Sequence, residues 1–430
     1  MNQIIELYNK SLKIQIKNYN IEKLEPILEL YKGKLYLSLI KLFINDCTNN
    51  FGTQIFSIKK SYSRTLTNIL SSWIFSLYID YDFSGDFFLP SKYDNTQLLE
   101  TILKDLCKYD KTLVNVDIKI NNIIANLKKN YSNLLVTLDE YKKSNIYKNN
   151  INKYKITKLL INLSKNNNTT LFYKFNISYP FIIKDKRLFN ILENVLLPSK
   201  LYDKLISVYN GPANKVDEYL WGIIFRYQLL GSNNHQLAVL PSIIKEMNKD
   251  YNLSFECFAS SINSTFPNYC SIYYDLEKYF GSVGSFFNMK PLKGTFGFNP
   301  PYQKDVIELG IKKLFTFMDD ADIVDNELSF IITIPIWDLI GRKAMKEKYN
   351  NELEKQNIDY GDFEIINEVK QSKYFRGLRM ISKDEFTYID HNFELYKNKT
   401  IQNTYVIFLS NKDVNMEKLD KYNFFNATCE

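Results

Sequence analysis

Gly294-Thr295-Phe296-Gly297-Phe298-Asn299-Pro300-Pro301-Tyr302 is an apolar strand that runs without a spacer into a proline turn. Phe296 and Phe298 alternate with small residues, and the two prolines cannot continue a ladder, so the strand must end at Asn299. Outward from this stretch, Val306 to Met318 carries apolar residues at helical spacing. Ser329-Phe330-Ile331-Ile332-Thr333-Ile334 follows, short and mostly β-branched or aromatic, as expected of a strand buried on both faces. Leu253 to Ala259 precedes the stretch and Tyr405-Val406-Ile407-Phe408-Leu409 comes later, both with strand character. Strand, helix, strand alternation predicts an α/β sheet. Met345 to Gly361 is charged and polar, and is expected to be a helix plus loop inserted in that domain.

Upstream the period changes. Ile4 to Ile16, Ile21 to Phe43, Ile55 to Tyr78 and Leu98 to Leu106 place apolar residues three and four apart and predict helices. Asp82 to Ser91 carries Gly and Pro and predicts a loop, and Leu113 to Tyr141 predicts one long helix. Tyr154 to Leu163 and Leu171 to Ile183 are strand candidates between Asn-rich loops. Helices are expected again over Leu188 to Leu197, Leu201 to Tyr209 and Val216 to Leu230. The division that follows is a mainly helical N-terminal domain over 1–190, then an α/β domain with a helical lead-in over 191–430.

The chain has 430 residues, with 45% hydrophobic and 24% charged side chains, ordinary for a folded protein. Aromatics reach 15%, and Asn, Lys and Ile are raised with them, the signature of an AT-rich genome. Lys and Arg exceed Asp and Glu by 55 to 48, a balance of +7 that permits a nucleic-acid partner without requiring one. Five scattered cysteines without a CxxC pair argue against a disulfide framework, and two histidines argue against a histidine-rich metal site, so no metal is expected. No run of about 18 apolar residues and no signal-peptide pattern is present. A soluble, intracellular protein is expected.

Asn299-Pro300-Pro301-Tyr302 explains itself as chemistry on an exocyclic amine. The lone pair of such a nitrogen is delocalised into its ring. Two hydrogen-bond acceptors that hold both N–H bonds favour a pyramidal nitrogen, and the freed lone pair can attack a sulfonium methyl. The Asn299 side chain supplies one acceptor. Pro300 supplies its carbonyl, aimed by its fixed φ. Tyr302 can stack on the base and set its plane. The pattern [DNS]-PP-[YFW] after an apolar strand is the amino-methyltransferase motif, and it belongs at the carboxyl end of a sheet strand. The expected cofactor is S-adenosylmethionine.

The cofactor side comes earlier. Ser254 to Asn263 predicts a first strand followed by a small-residue turn through Phe258, Ala259 and Ser260, which lets backbone approach the methionine moiety. Glu256 or Asn263 could hold its amino and carboxylate groups. Asp275 and Glu277 are candidates for ribose hydroxyls, against the plainer reading of solvated surface acids. Tyr279 to Asn288 brings Phe280, Gly281 and several further aromatics near Asn299, so a ring there could hold the adenine. Arg226, on an apolar helix, pairs either with the cofactor carboxylate or with a buried acid.

Read together, Phe255-Glu256-Cys257-Phe258-Ala259-Ser260, Tyr269-Cys270-Ser271, Tyr279-Phe280-Gly281-Ser282, Pro291 to Phe296 and Asn299-Pro300-Pro301-Tyr302 follow in an order that resembles the methyltransferase region of the phosphorylated CTD-interacting factor family, the cap-specific adenosine N6-methyltransferases. Weaker likeness extends from about residue 216 to 410. The resemblance implies a Rossmann-like class I methyltransferase domain behind a helical domain. It implies S-adenosylmethionine as donor and N6 of the 2′-O-methylated adenosine beside the cap of mRNA as acceptor. Vertebrate members carry an N-terminal WW domain. With tryptophan only at Trp73, Trp221 and Trp337, WW-mediated docking on the polymerase tail is not expected here. The family motif often ends in Phe where this chain has Tyr302, and either ring stacks. A nuclear location, or a cytoplasmic factory if the source is a virus, is the matching expectation.

A cap enzyme must hold a cationic methylguanine and a triphosphate. Lys370, Lys373, Arg376 and Arg379 interleave with Tyr374 and Phe375 and are the candidate phosphate patch, against a plain solvated basic face. Trp337 follows a strand and a proline and could line the substrate cleft. Two rival functions stay open from sequence: N6-adenine methylation of DNA or internal RNA, and a catalytically silent cap- or RNA-binding subunit.

Overall fold

The computed structural model describes residues 2–7, 11–17, 19, 23–52, 62–77, 86–107, 113–165, 168–180, 184–231, 236–302, 304–335, 364–391, 396–399 and 403–424. The chain opens with β1 (Asn2–Leu7) and β2 (Leu12–Lys17), an antiparallel hairpin. Then come α1 (Pro26–Phe51), α2 (Tyr62–Leu77), α3 (Gln97–Cys107), α4 (Val116–Lys143) and α5 (Asn145–Asn150). β3 (Lys155–Lys165), β4 (Asn168–Ser178), α6 (Lys186–Glu193), β5 (Leu196–Pro198), α7 (Ser199–Val208) and α8 (Val216–Leu230) follow. The C-terminal part holds β6 (Leu237–Val239), α9 (Pro241–Tyr251), β7 (Leu253–Glu256), α10 (Tyr274–Glu277), β8 (Lys290–Phe298), α11 (Lys304–Ile323), β9 (Leu328–Pro335), β10 (Phe375–Ile381), β11 (Thr387–Asp390), β12 (Tyr396–Lys399) and β13 (Thr404–Ser410).

One expectation is corrected at once: Ile4 to Ile16 is not a helix. Leu12, Ile14 and Ile16 are buried while Lys13, Gln15 and Lys17 are less so, a period of two that sets a strand. A second correction is short: the helix from Leu188 stops at Glu193, and Leu196–Pro198 pairs with β4 instead. The segment Met345 to Gly361 lies outside the described residues. The sequence reading holds well elsewhere: α4, α8, α11, β3, β9 and β13 occupy the expected stretches.

The central sheet runs β1-β2-β8-β9-β13-β10, with β7 also on β8. β8 has two partners on one side because it is long. Its first half pairs antiparallel with β2 and its second half parallel with β7. Gly294 marks the change: its φ is +117°, which favours glycine, and an added Cβ would sit 2.7 Å from Leu12. β7, β8 and β9 are mutually parallel, and β13 runs against both β9 and β10. Beyond β7, two single parallel bridges continue the sheet, Glu256 to Tyr269 and Tyr269 to Ser282. This is a mixed α/β architecture.

Alternation places the core on both faces. Phe330, Ile332, Ile334, Ile407 and Leu409 face one side with Phe296, Phe298 and α11 residues such as Ile311. Ile331, Val406 and Phe408 face the other, against α9. Two-sided burial is why these strands read as continuous apolar runs. A separate helical core joins α1 to α4 with α8, and takes in Ile262, Tyr273, Leu276 and Phe280 from the other half. No helix among the described residues is long and apolar enough to cross a membrane.

Candidate active site

β7 and β8 end side by side. Glu256 is in register with Gly297, and the Cys257 amide donates to the Gly297 carbonyl at 2.8 Å. The chain after β7 and the chain after β8 therefore leave the same sheet edge as neighbours. From β8 this gives Asn299, Pro300, Pro301 and Tyr302, with Pro300 buried and the other three half-buried. The Tyr302 hydroxyl donates to Asn299 Oδ1 at 3.4 Å, a long bond that leaves the oxygen capacity for a second donor. The Tyr302 ring lies 6.1 Å from that of Tyr388 on β11. Burial, with Tyr388 adding to it, pushes the Tyr302 hydroxyl well above its ordinary pKa, so it stays protonated.

From β7 the chain forms a turn of small residues held by its own atoms. The Ala259 amide donates to the Cys270 carbonyl at 2.9 Å. Asn263 Oδ1 accepts from the Ser260 amide at 2.7 Å and from Ser260 Oγ at 3.1 Å. The Ser261 amide and hydroxyl donate to Glu277 Oε2 at 2.6 and 3.0 Å, and the Tyr227 hydroxyl donates to Glu277 Oε1 at 2.9 Å. Glu277 is fully buried, and burial raises its carboxyl to about 7 against those bonds. Glu256 Oε2 accepts from the amides of Thr265 and Phe266 at 2.7 and 3.1 Å. Burial still lifts that carboxyl to about 6, opposed by the two amides and by Lys204.

The expected cofactor residues divide. Glu256, Ala259, Ser260 and Asn263 do share the turn beside Asn299. Phe258 packs with Phe286 at 4.9 Å and Phe298 at 5.2 Å in an aromatic cluster under the turn. Phe280 packs in the helical core, 5.1 Å from Tyr209. Gly281, at φ +101°, carries the chain into the Ser282 bridge, and an added Cβ would meet the Pro267 carbonyl at 1.9 Å. Asn288 lies near the start of β8 with Gln15, Lys290 and Lys313, at the opposite end of that strand from Asn299. Its neighbours nonetheless border the turn: the Phe287 ring is 6.0 Å from that of Phe258, and Met289 Sδ is 3.8 Å from Cys270 Sγ.

Arg226 and Asp275 find each other. Arg226 Nε donates to Glu29 at 2.8 Å, and its terminal nitrogens reach Glu29 at 3.0 Å and Asp275 at 2.9 and 2.8 Å. Lys32 joins through Glu29 at 2.7 Å and through Asp86. Both are members of a buried ion network, and neither Asp275 nor Glu277 is a solvated surface acid. Of the two partners open to Arg226 from sequence, the buried acids are the ones it takes.

The basic stretch does not converge on Asn299. Lys373 pairs with Asp319 and Asp322 at 3.3 and 3.2 Å, beside the last turn of α11. Arg376 donates to the carbonyls of Lys412 and Lys373 at 2.9 and 2.8 Å. Arg379 donates to those of Leu419 and Tyr422 at 2.5 and 3.1 Å. Strand β10, which carries the arginines, is three ladders from β8, and Lys373 and Arg376 lie toward the end of the sheet where β8 begins. Trp337 lies outside the described residues.

Sequence reading missed Gln236, Tyr388 and His391, which the short sheet β12-β11-β6 brings to the site. Gln236 is fully buried, and its Oε1 accepts from Ser260 Oγ at 2.5 Å. Its Nε2 and both ring nitrogens of His391 are buried without a partner. Buried donors left open beside a small-residue turn at the carboxyl edge of parallel strands fit a polar ligand seated there. The only signal in sequence was the histidine's rarity. Among the described residues no group of three or more His, Cys, Asp and Glu is placed to hold a metal ion.

Residues 199–359 match the family described as Phosphorylated CTD interacting factor 1 WW domain. The matched stretch comprises α7 through β9 and beyond, with the turn after β7 and Asn299 to Tyr302 inside it. Two curated relatives are similar to this chain, each called mRNA (2′-O-methyladenosine-N(6)-)-methyltransferase, from Homo sapiens and Mus musculus. Each is 27% identical over 198 residues, which is 45% of this chain and 25% of the relative. The chain thus spans about a quarter of the length of the curated relatives it matches.

Proposed function

We propose that this chain, related through residues 199–359 to the phosphorylated CTD-interacting factor family, is an S-adenosylmethionine-dependent methyltransferase acting on N6 of the 2′-O-methylated adenosine next to an mRNA cap. The observation that carries the reading is the pairing of two chain ends. Asn299-Pro300-Pro301-Tyr302 leaves β8 beside the small-residue turn that leaves β7. The sheet supports a Rossmann-like reading. Counted through the bridges and setting aside the β1-β2 hairpin, its order is Ser282, Tyr269, β7, β8, β9, β13, β10, with β13 alone reversed among these. The relatives' names supply the substrate.

On this reading Asn299 Oδ1 and the Pro300 carbonyl accept the two N–H bonds of the target amine. That withdraws the nitrogen lone pair from the ring and points it at the donor. Bound S-adenosylmethionine supplies an electrophilic methyl group on a sulfonium. Asn263 and Glu277 hold the turn after β7 rigid, so backbone can approach the ligand without reorganising. Tyr302 fixes the Asn299 amide through its hydroxyl and offers its ring to the base. The first nucleotides of a transcript are single-stranded, so presenting the base costs little unstacking energy.

Methyl transfer from labelled cofactor to capped RNAs that begin with 2′-O-methyladenosine, adenosine or guanosine tests the reading, with uncapped RNA and duplex DNA as controls. Label should enter the cap-proximal adenosine alone. Greater transfer to uncapped RNA or DNA would select a different adenine substrate. Cap binding without any cofactor binding would select a silent subunit. Asn299→Ala should lower turnover by at least roughly a hundredfold, while RNA affinity stays within a few-fold.

A further inference from the structure

Three donors border the turn after β7. Gln236 has its oxygen taken by Ser260 Oγ, which leaves Nε2 as an unpartnered donor in a fully buried side chain. His391 is 8% exposed; its amide donates to the Gln236 carbonyl at 3.2 Å, and neither ring nitrogen has a partner. Lys204, an exposed residue of α7, donates its ammonium to the Ser264 carbonyl. Burial chiefly, with the nearby Lys204 charge adding to it, holds His391 neutral at about 3, so its ring offers one N–H donor.

Two buried groups left without partners cost about 1–3 kcal/mol each, which a fold retains where a ligand completes them. The ligand must be an acceptor, because Gln236 Nε2 can only donate. It should carry negative charge, because the charge of Lys204 acts on the imidazole. Glu256, the nearest acid on the turn, already has Oε2 engaged by two amides and does not fill this role. A carboxylate meets these demands: it accepts from an amide and an imidazole at once and is attracted by the ammonium.

We infer that Gln236 and His391 hold the α-carboxylate of an amino-acid-bearing ligand, which under the function proposed above is the methionine end of S-adenosylmethionine. The inference rests on that reading for the ligand's identity. Both are then binding residues for the cofactor's tail, and Asn299 serves the other substrate.

Calorimetric titration of the full chain with S-adenosylmethionine and with 5′-methylthioadenosine, which keeps the nucleoside but lacks the amino-acid part, separates the cases. Gln236→Met and His391→Phe should each weaken S-adenosylmethionine about tenfold and leave 5′-methylthioadenosine within twofold. His391→Phe should melt no lower than the parent, since no protein partner is lost. Equal weakening of both ligands, or no weakening of either, overturns the carboxylate assignment while leaving the proposed function standing. A parent protein that binds neither ligand overturns both.

Discussion

Glu29 and Asp275 meet a guanidinium, whereas Glu277 and Glu256 meet only N–H and O–H groups. Glu29, Asp275 and Glu277 are buried and Glu256 is half-buried, and the two pairs solve the same problem differently. Burial alone would raise Glu29, but Arg226 and Lys32 together hold it below the usual range. Asp275, with a share of one guanidinium and Glu29 nearby, stays raised by burial despite it. Asp86 shows the cations winning outright: Lys32 and Arg226 bring it to about 2 against burial. Glu277 has no cation and sits near 7. The charged cluster ties α1 to α8 and α10, a structural joint. The cation-free acid clamps the turn that borders the proposed active site. Internal charge balance marks the scaffold here, and neutral donors mark the site.

The largest break in that comparison comes from Arg226→Met, which leaves Glu29 and Asp275 buried without their guanidinium. We expect a loss of about 3–5 kcal/mol in denaturant unfolding. A loss below about 1 kcal/mol would show that the cluster is not the joint described. Gly281→Ala strikes the other region. Its positive φ and the Pro267 carbonyl at 1.9 Å from an added Cβ force the backbone to shift where α10 leads to the Ser282 bridge. We expect a loss of at least about 2 kcal/mol with weakened cofactor binding. Unchanged cofactor affinity would separate Gly281 from the site.

Smaller effects come from pH. Asp86 is depressed in the fold, so its contribution is full above about 3.8, its unfolded value, and is lost as pH falls toward about 2. Glu277 is raised from 4.5 to about 7, so the folded state binds the extra proton and stability from this group grows as pH falls through that window. Glu277→Gln removes the titration. The melting temperature of the parent relative to this variant should rise between pH 7 and 4.5. A difference flat across that window would mean that Glu277 does not titrate there. Glu256, raised to about 6, should behave alike over a narrower range.

Much of the sheet was readable residue by residue. Phe330 to Ile334 and Tyr405 to Leu409 announced themselves because burial on both faces demands unbroken apolar runs. Val216–Leu230 was read to the residue, since Gly231 at φ +75° stops the helix in the way a glycine allows. The hairpin at the N-terminus escapes a helical reading because Leu12, Ile14 and Ile16 follow a period of two over a strand of only six residues. The basic stretch from Lys370 to Arg379 gave no hint that its donors close on Asp319, Asp322 and the carbonyls of Leu419 and Tyr422.

What the sequence determined by itself is the local: a strand must stop at Asn299, a proline must aim the next carbonyl, and apolar period must choose helix or strand. These follow from forces acting within a few residues. Partnership was decided only by the folded chain. Arg226 and Glu29 stand 197 residues apart and bond within 3.0 Å, while Gln236 and His391 meet through the pairing of β6 with β11. Nothing local marks such a meeting, because a side chain's charge and hydrogen-bonding capacity are the same whichever neighbour later satisfies them.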